Sequence, residues 1–191
     1  MIKKPSNYDN VNVVQVLEAG GYILKIVKTE YVPTKEYVML YLDIAEGPYK
    51  DYFSKNQFNG KWSLDAVKYL SLKNTDGAIK ALKGDVTAIE RSNNFTWDWE
   101  EKSLLNKKVG GVFGKVQYQA KDGTLKFRTK LDRLRSIESI ISGDFTIPEP
   151  KLLEITGDVG NADYLESTRA MASFLASENK DFEISDDDLP F

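Results

Sequence analysis

The chain has 191 residues, 29% of them charged and 41% hydrophobic, with a formal net charge of −3, which suits one domain with a core plus a substantial extension. Cys and His are both absent, which excludes disulfides, thiolate chemistry, thiolate or imidazole metal sites and any His general base, so only carboxylate or Lys catalysis survives. No apolar run is long enough to span a bilayer, and Lys3-Lys4-Pro5 leads into polar residues rather than a signal peptide, so a cytoplasmic protein away from membranes is expected.

Residues 22–32 read as a long strand rich in β-branched and aromatic side chains, 33–36 as a turn and 37–47 as the partner strand of a hairpin. Alternation on the second strand puts Val38, Leu40, Leu42 and Ile44 on a core face and Tyr37, Met39, Tyr41 and Asp43 on the other. Tyr37 and Tyr41 on a half-exposed face can stack bases, although tyrosine is also a common strand residue. Residues 48–59 mix aromatics with Lys and Asp and suggest a further short strand and loop, with Trp62 following as a third stacking candidate. Residues 67–72 alternate weakly. Ile79, Leu82, Val86 and Ile89 then recur at helical spacing, predicting a helix over 76–91 with Gly84 inside it, at a cost near 1 kcal/mol that a kink or close packing would explain.

A second hairpin follows, with strands at 108–120 and 124–131 joined by Lys121-Asp122-Gly123. On the returning strand Leu125, Phe127, Thr129 and Leu131 point one way and Lys126, Arg128 and Lys130 the other, with Arg133 and Arg135 extending the basic row. Such a row can replace counterions along a nucleic-acid backbone, and it equally suits a solvated or protected strand edge. A short helix at 136–143 and Ile147-Pro148-Glu149-Pro150 close the body.

The composition then changes. Residues 1–150 sum to +4 and residues 151–191 to −7, so a mildly basic body of 1–150 is joined to an acidic tail. The tail is expected to be disordered, with a marginal helix at 163–176 and a mobile last dozen residues. It ends Asp186-Asp187-Asp188-Leu189-Pro190-Phe191, where proline enforces an extended chain and a terminal Phe offers an apolar anchor behind three carboxylates, a form that a basic pocket with an apolar floor can hold. A tail that serves solubility alone would gain nothing from that Phe.

This ending closely resembles the acidic tip of bacterial single-stranded DNA-binding proteins, and the resemblance implies recruitment of replication or recombination enzymes. Four further stretches are similar to small phage and prophage proteins of Gram-positive bacteria encoded among replication and recombination genes. They are Ala81-Leu82-Lys83-Gly84 with Ile89-Glu90-Arg91-Ser92-Asn93, then Trp97-Asp98-Trp99-Glu100-Glu101, then Lys108-Val109-Gly110-Gly111-Val112-Phe113-Gly114, and Gly143-Asp144-Phe145 with Ile147-Pro148-Glu149. They cover most of 76–150, hold no defined catalytic motif, and imply a phage DNA-metabolism protein acting in the bacterial host cytoplasm.

The order of strands and helix suits a mainly β protein with one or two helices, an OB-fold-like small β-barrel with elaboration at 48–75; another small barrel or an open sheet with one helix also fits. The leading expectation is a non-enzymatic single-stranded DNA-binding protein without cofactor or metal. The alternative is a replication or recombination adaptor whose body binds a protein. A carboxylate-metal nuclease using Asp98, Glu100 and Glu101 ranks third, and Gly111 to Lys115 is too short for a phosphate-binding loop. A homo-oligomer is compatible with any of them.

Overall fold

The computed structural model describes residue 3 and residues 16–153. The alternation at Val38, Leu40, Leu42 and Ile44 makes Tyr37–Ile44 (β2) a strand with one fully buried face. It pairs antiparallel with Gly20–Val32 (β1) across the 3₁₀ turn Pro33–Lys35, which Glu36 closes in the left-handed conformation at φ 53°.

β2 stops at Ile44 rather than running to residue 47, because the chain doubles back and the Asp51 amide takes the Ile44 carbonyl at 2.9 Å. Residues 48–59, expected to hold a strand, instead carry the short helix Tyr52–Lys55 (α1). Asp43 is the physical reason. Expected on the open face, its carboxylate is buried and accepts the amides of Ile44, Phe53 and Ser54 at 2.8, 2.9 and 3.0 Å, together with the Ser54 hydroxyl. Two of those amides are first-turn donors that a helix cannot satisfy internally.

Val67–Ser71 (β3) follows, then Asp76–Asn93 (α2), Lys108–Gln119 (β4), Leu125–Arg135 (β5) and Ile137–Ser142 (α3). The helix runs as its apolar spacing requires, capped by Thr75, whose hydroxyl accepts the Ala78 amide, and ended by Asn94 at φ 50°. The sheet order is β3-β2-β1-β4-β5, antiparallel throughout. The strands curl into a nearly closed, OB-fold-like barrel, in which the Arg128 to Asp65 ion pair (3.4 Å) ties β5 to the turn before β3. Ala88 and Ile89 of α2 join the core that Leu24, Ile26, Leu40, Phe113 and Leu131 fill. An ion pair between half-buried Lys68 and buried Asp85, at 3.1 Å, fastens the helix to β3. Burial pushes the Asp85 carboxyl above its usual range, against the pull of Lys68.

Two bulges reset which side chains face outward. In β1 the register shifts between Ile26 and Lys28: Ile26 lies opposite core residue Leu42, whereas Lys28 lies opposite Tyr41 and Glu30 opposite Met39 on the outer face. In β5 the shift falls at Asp132, so Leu131 and Leu134 both reach the core while Arg133 pairs with Val112 and Arg135 with Gly110 on the outside.

The outer face of β1 and β4 is covered by the chain that follows β5. A Cβ on Gly110 would sit 2.5 Å from Ile140 of α3, one on Gly21 2.5 Å from Phe145, and one on Gly114 2.5 Å from Pro148. Those glycines exist because there is no room for a side chain. Val112, also on this face and paired with Gly21, is fully buried although it lies outside the barrel core. Beyond Pro148 the chain pairs with the free edge of β4: the Gln117 amide donates to Lys151 O (2.8 Å) and the Lys151 amide to Lys115 O (2.9 Å). The Lys151 ammonium reaches Asp132 at 2.7 Å, so pairing continues to Leu153, past residue 150.

Candidate functional site

Three outer surfaces of the barrel hold the candidate residues. The first is the open face of β1, β2 and β3. Tyr37 and Met39 project there from β2, opposite Ser71 and Tyr69 of β3, and Tyr41 stands next in line. The Tyr37 and Tyr69 rings meet edge to face at 5.2 Å, and Tyr69 remains 46% exposed, which leaves a ring face free to stack. The β1 bulge brings Lys28 over the Tyr41 ring, 4.6 Å from its centroid, while the Tyr41 hydroxyl donates to Glu30 at 3.1 Å. Burial, then the Glu30 hydrogen bond, raises the Tyr41 phenol above its usual value, so the ring is neutral and its hydroxyl a donor at physiological pH.

Trp62 differs from these tyrosines. It packs against the barrel core, and its buried indole N–H meets no acceptor among the described residues.

The second surface is the basic row on β5. Lys126 lies opposite Tyr118 and Arg128 opposite Val116, and the Arg128 guanidinium sits 5.7 Å from the Tyr118 ring centroid. Much of the row's charge is locally answered. Arg128 pairs with Asp65, Arg133 with Asp132 at 3.0 Å, and Lys126 also has an interaction partner. Burial raises the Asp65 carboxyl, and Arg128 and Lys130 pull it back. Arg135 has no ion-pair partner among the described residues.

The third surface was not anticipated. Lys80, Lys83, Thr87 and Arg91 lie at i, i+3, i+7 and i+11 along α2 and face the end of β5 and the start of α3. With Arg135 they line a groove of about 310 Å³, and among the described residues no carboxylate lines it. None of its four cations has an ion-pair partner among the described residues. The spacing was visible in the sequence, but its partner wall was not. Tyr69 and Tyr118 were missed for the same reason, since each becomes a site candidate only through its cross-strand neighbours.

The acidic stretch 97–101 forms a local lock. The Trp97 amide donates to Glu90 and its indole to Glu100 O (2.8 and 2.9 Å). The Asp98 carboxylate accepts from Ser103 Oγ and the Glu100 amide, which hold its pKa below the usual range. Among the described residues no group of three acidic side chains could hold a metal ion, and no helix is long and apolar enough to cross a membrane. The tail, its expected helix and the tip Asp186 to Phe191 lie outside the described residues. No protein-family model matches the chain, and no curated protein matches it in sequence.

Proposed function

We propose that this chain is a non-enzymatic single-stranded DNA-binding protein of phage or prophage replication or recombination, protecting the strand with its barrel and recruiting partner enzymes through Asp186 to Phe191. The uncovered tyrosine face of β2 and β3 carries this reading. A barrel wall that exposes Tyr69 and lines it with Tyr37 and Tyr41, beside Lys28, offers sequence-tolerant stacking with a cation in reach of phosphate. On β5, Arg128 and Lys126 near Tyr118 repeat the combination of ring and cation. Tyr69 is exposed and Tyr37 and Tyr41 are only partly buried, so these rings contribute little to the core.

Titration of the full chain with dT oligonucleotides, followed by intrinsic fluorescence, tests the reading. Quenching with tight binding that weakens steeply with salt is the expected result. No binding at low salt removes it.

The second reading, an adaptor whose body binds another protein, draws on Trp99. This residue is 66% exposed on a left-handed backbone (φ 64°), its ring 4.6 Å from that of Trp97 and tilted to it by 33°. An exposed Trp with one ring neighbour suits a protein anchor. The same titration distinguishes the two readings: an adaptor body shows no affinity for the oligonucleotide, whereas a strand-binding body keeps its affinity in Trp99→Ala unless that ring belongs to the strand site.

A further inference from the structure

The groove between α2, the end of β5 and the start of α3 is cationic and pre-built, and its charges have no ion-pair partner among the described residues. Lys80, Lys83, Arg91 and Arg135 converge on it without an acid among its lining residues. Its walls are pinned together by Ser92, whose hydroxyl donates to Ala88 O at 2.6 Å within α2 and accepts the Ile137 amide at 3.0 Å from α3. Four like charges facing one another raise the energy of the empty protein, and a bound anion relieves that repulsion.

A second observation points to the kind of anion. Gly84 lies in the interior of α2, where glycine is unfavourable, and it lines the same groove. Unlike Gly110, it is not required by packing, because a Cβ there would meet nothing within 4 Å. Its backbone is an ordinary right-handed helix, so no turn requires it either. What remains is access: a bare helix backbone flanked by Lys83 and Thr87 lets another chain lie flush against it.

We propose that this groove is a second backbone-binding segment for a single nucleic-acid strand, which continues from the tyrosine face along β5 and lays its phosphates on Lys80, Lys83, Arg91 and Arg135 against Gly84. The proposal rests on the strand-binding reading above. β5 supplies the route, since Arg128 stands at the ion pair with the turn before β3 and Arg135 in the groove. The seven steps from Arg128 to Arg135 at about 3.3 Å each place the two ends roughly 23 Å apart. A short oligonucleotide can therefore fill one surface only, and a long one both.

The experiment compares dT oligonucleotides of about 8 and about 25 nucleotides, lengths on either side of a single-barrel site. Two variants of the full chain are used, Lys80→Gln/Lys83→Gln/Arg91→Gln and Gly84→Gln, each checked for an unchanged circular dichroism spectrum. For the triple variant the expected result is a loss of about tenfold or more in affinity for the long strand, and a salt slope lower by about 2, three contacts at roughly 0.7 each. Affinity and quenching for the short strand stay as in the parent. Gly84→Gln keeps every charge and favours the helix, yet lowers long-strand affinity by filling the groove. Unchanged long-strand affinity and slope in the triple variant, with the parent still binding, overturn the groove and leave the strand-binding reading standing. Equal losses for both lengths also overturn it, because the groove would then be the primary site. A parent that binds neither length overturns both readings.

Discussion

The two sides of the barrel wall are built from similar antiparallel strands but carry opposite outer surfaces. On β1 and β4 the outer positions are Gly21, Gly110, Val112 and Gly114, and α3 with the chain to Leu153 lies directly on them. On β2 and β3 the outer positions are Tyr37, Met39, Tyr41 and Tyr69, and Tyr69 stays 46% exposed. Small residues on a strand face mark a surface that the protein covers itself. Large aromatic residues left without a cover mark one that it keeps for another molecule.

The sharpest way to break this comparison is to put a side chain on the covered side. Gly110→Val places a Cβ 2.5 Å from Ile140 and within 2.9 Å of the Ser136 and Arg135 carbonyls. It should cost about 3 kcal/mol of stability, read as a lower urea midpoint. A midpoint equal to the parent's would mean that α3 is not seated on β4.

On the open side the converse holds. Tyr69→Ala should leave stability within about 0.5 kcal/mol of the parent. Its cost, about 1–3 kcal/mol, should appear in oligonucleotide affinity as one lost stacking partner. A large fall in stability without a change in affinity would assign Tyr69 to packing.

Gly84 separates covering from access. Gly84→Ala meets no neighbour, so it should raise stability by about 1 kcal/mol, whereas a glycine held by contact would lose stability on the same change. Thermal unfolding followed by circular dichroism decides.

The smallest effect concerns the end of the cover. Burial tends to raise the Asp132 carboxyl, but the Lys151 hydrogen bond and the charges of Lys151 and Arg133 outweigh it and hold it below 3.8. A depressed folded value means that its stabilisation is complete above the ordinary carboxylate range and is lost as pH falls through the folded value. The protection factor of the Gln117 amide, which donates to Lys151 O, should therefore fall on acidification below about pH 4, once hydrogen exchange is corrected for its intrinsic pH dependence. In Asp132→Asn the protection factor should be lower already at neutral pH and lose that acid step.

Much of the fold was legible in order and period. The alternating run at Val38 to Ile44, the helical spacing from Ile79 to Ile89, and the Asp122-Gly123 turn each encode a local geometry in neighbouring residues. Tyr37 and Tyr41 were legible as an outer pair for the same reason. Residues 48–59 were misread because the donors of α1 are satisfied by Asp43, a residue on a different element, and no window of sequence contains both.

Period and turn chemistry are local properties, so the amino-acid order alone determined the hairpins, the long helix, the aliphatic core faces and the absence of thiol and imidazole chemistry. Tertiary structure alone decided which charges are answered and which are left open. Arg128 and Arg133 look like Arg91 and Arg135 in sequence, yet the first two meet Asp65 and Asp132 while the last two meet no acid among the described residues. Electrostatic pairing acts through space over a few ångströms, and only folding sets those distances.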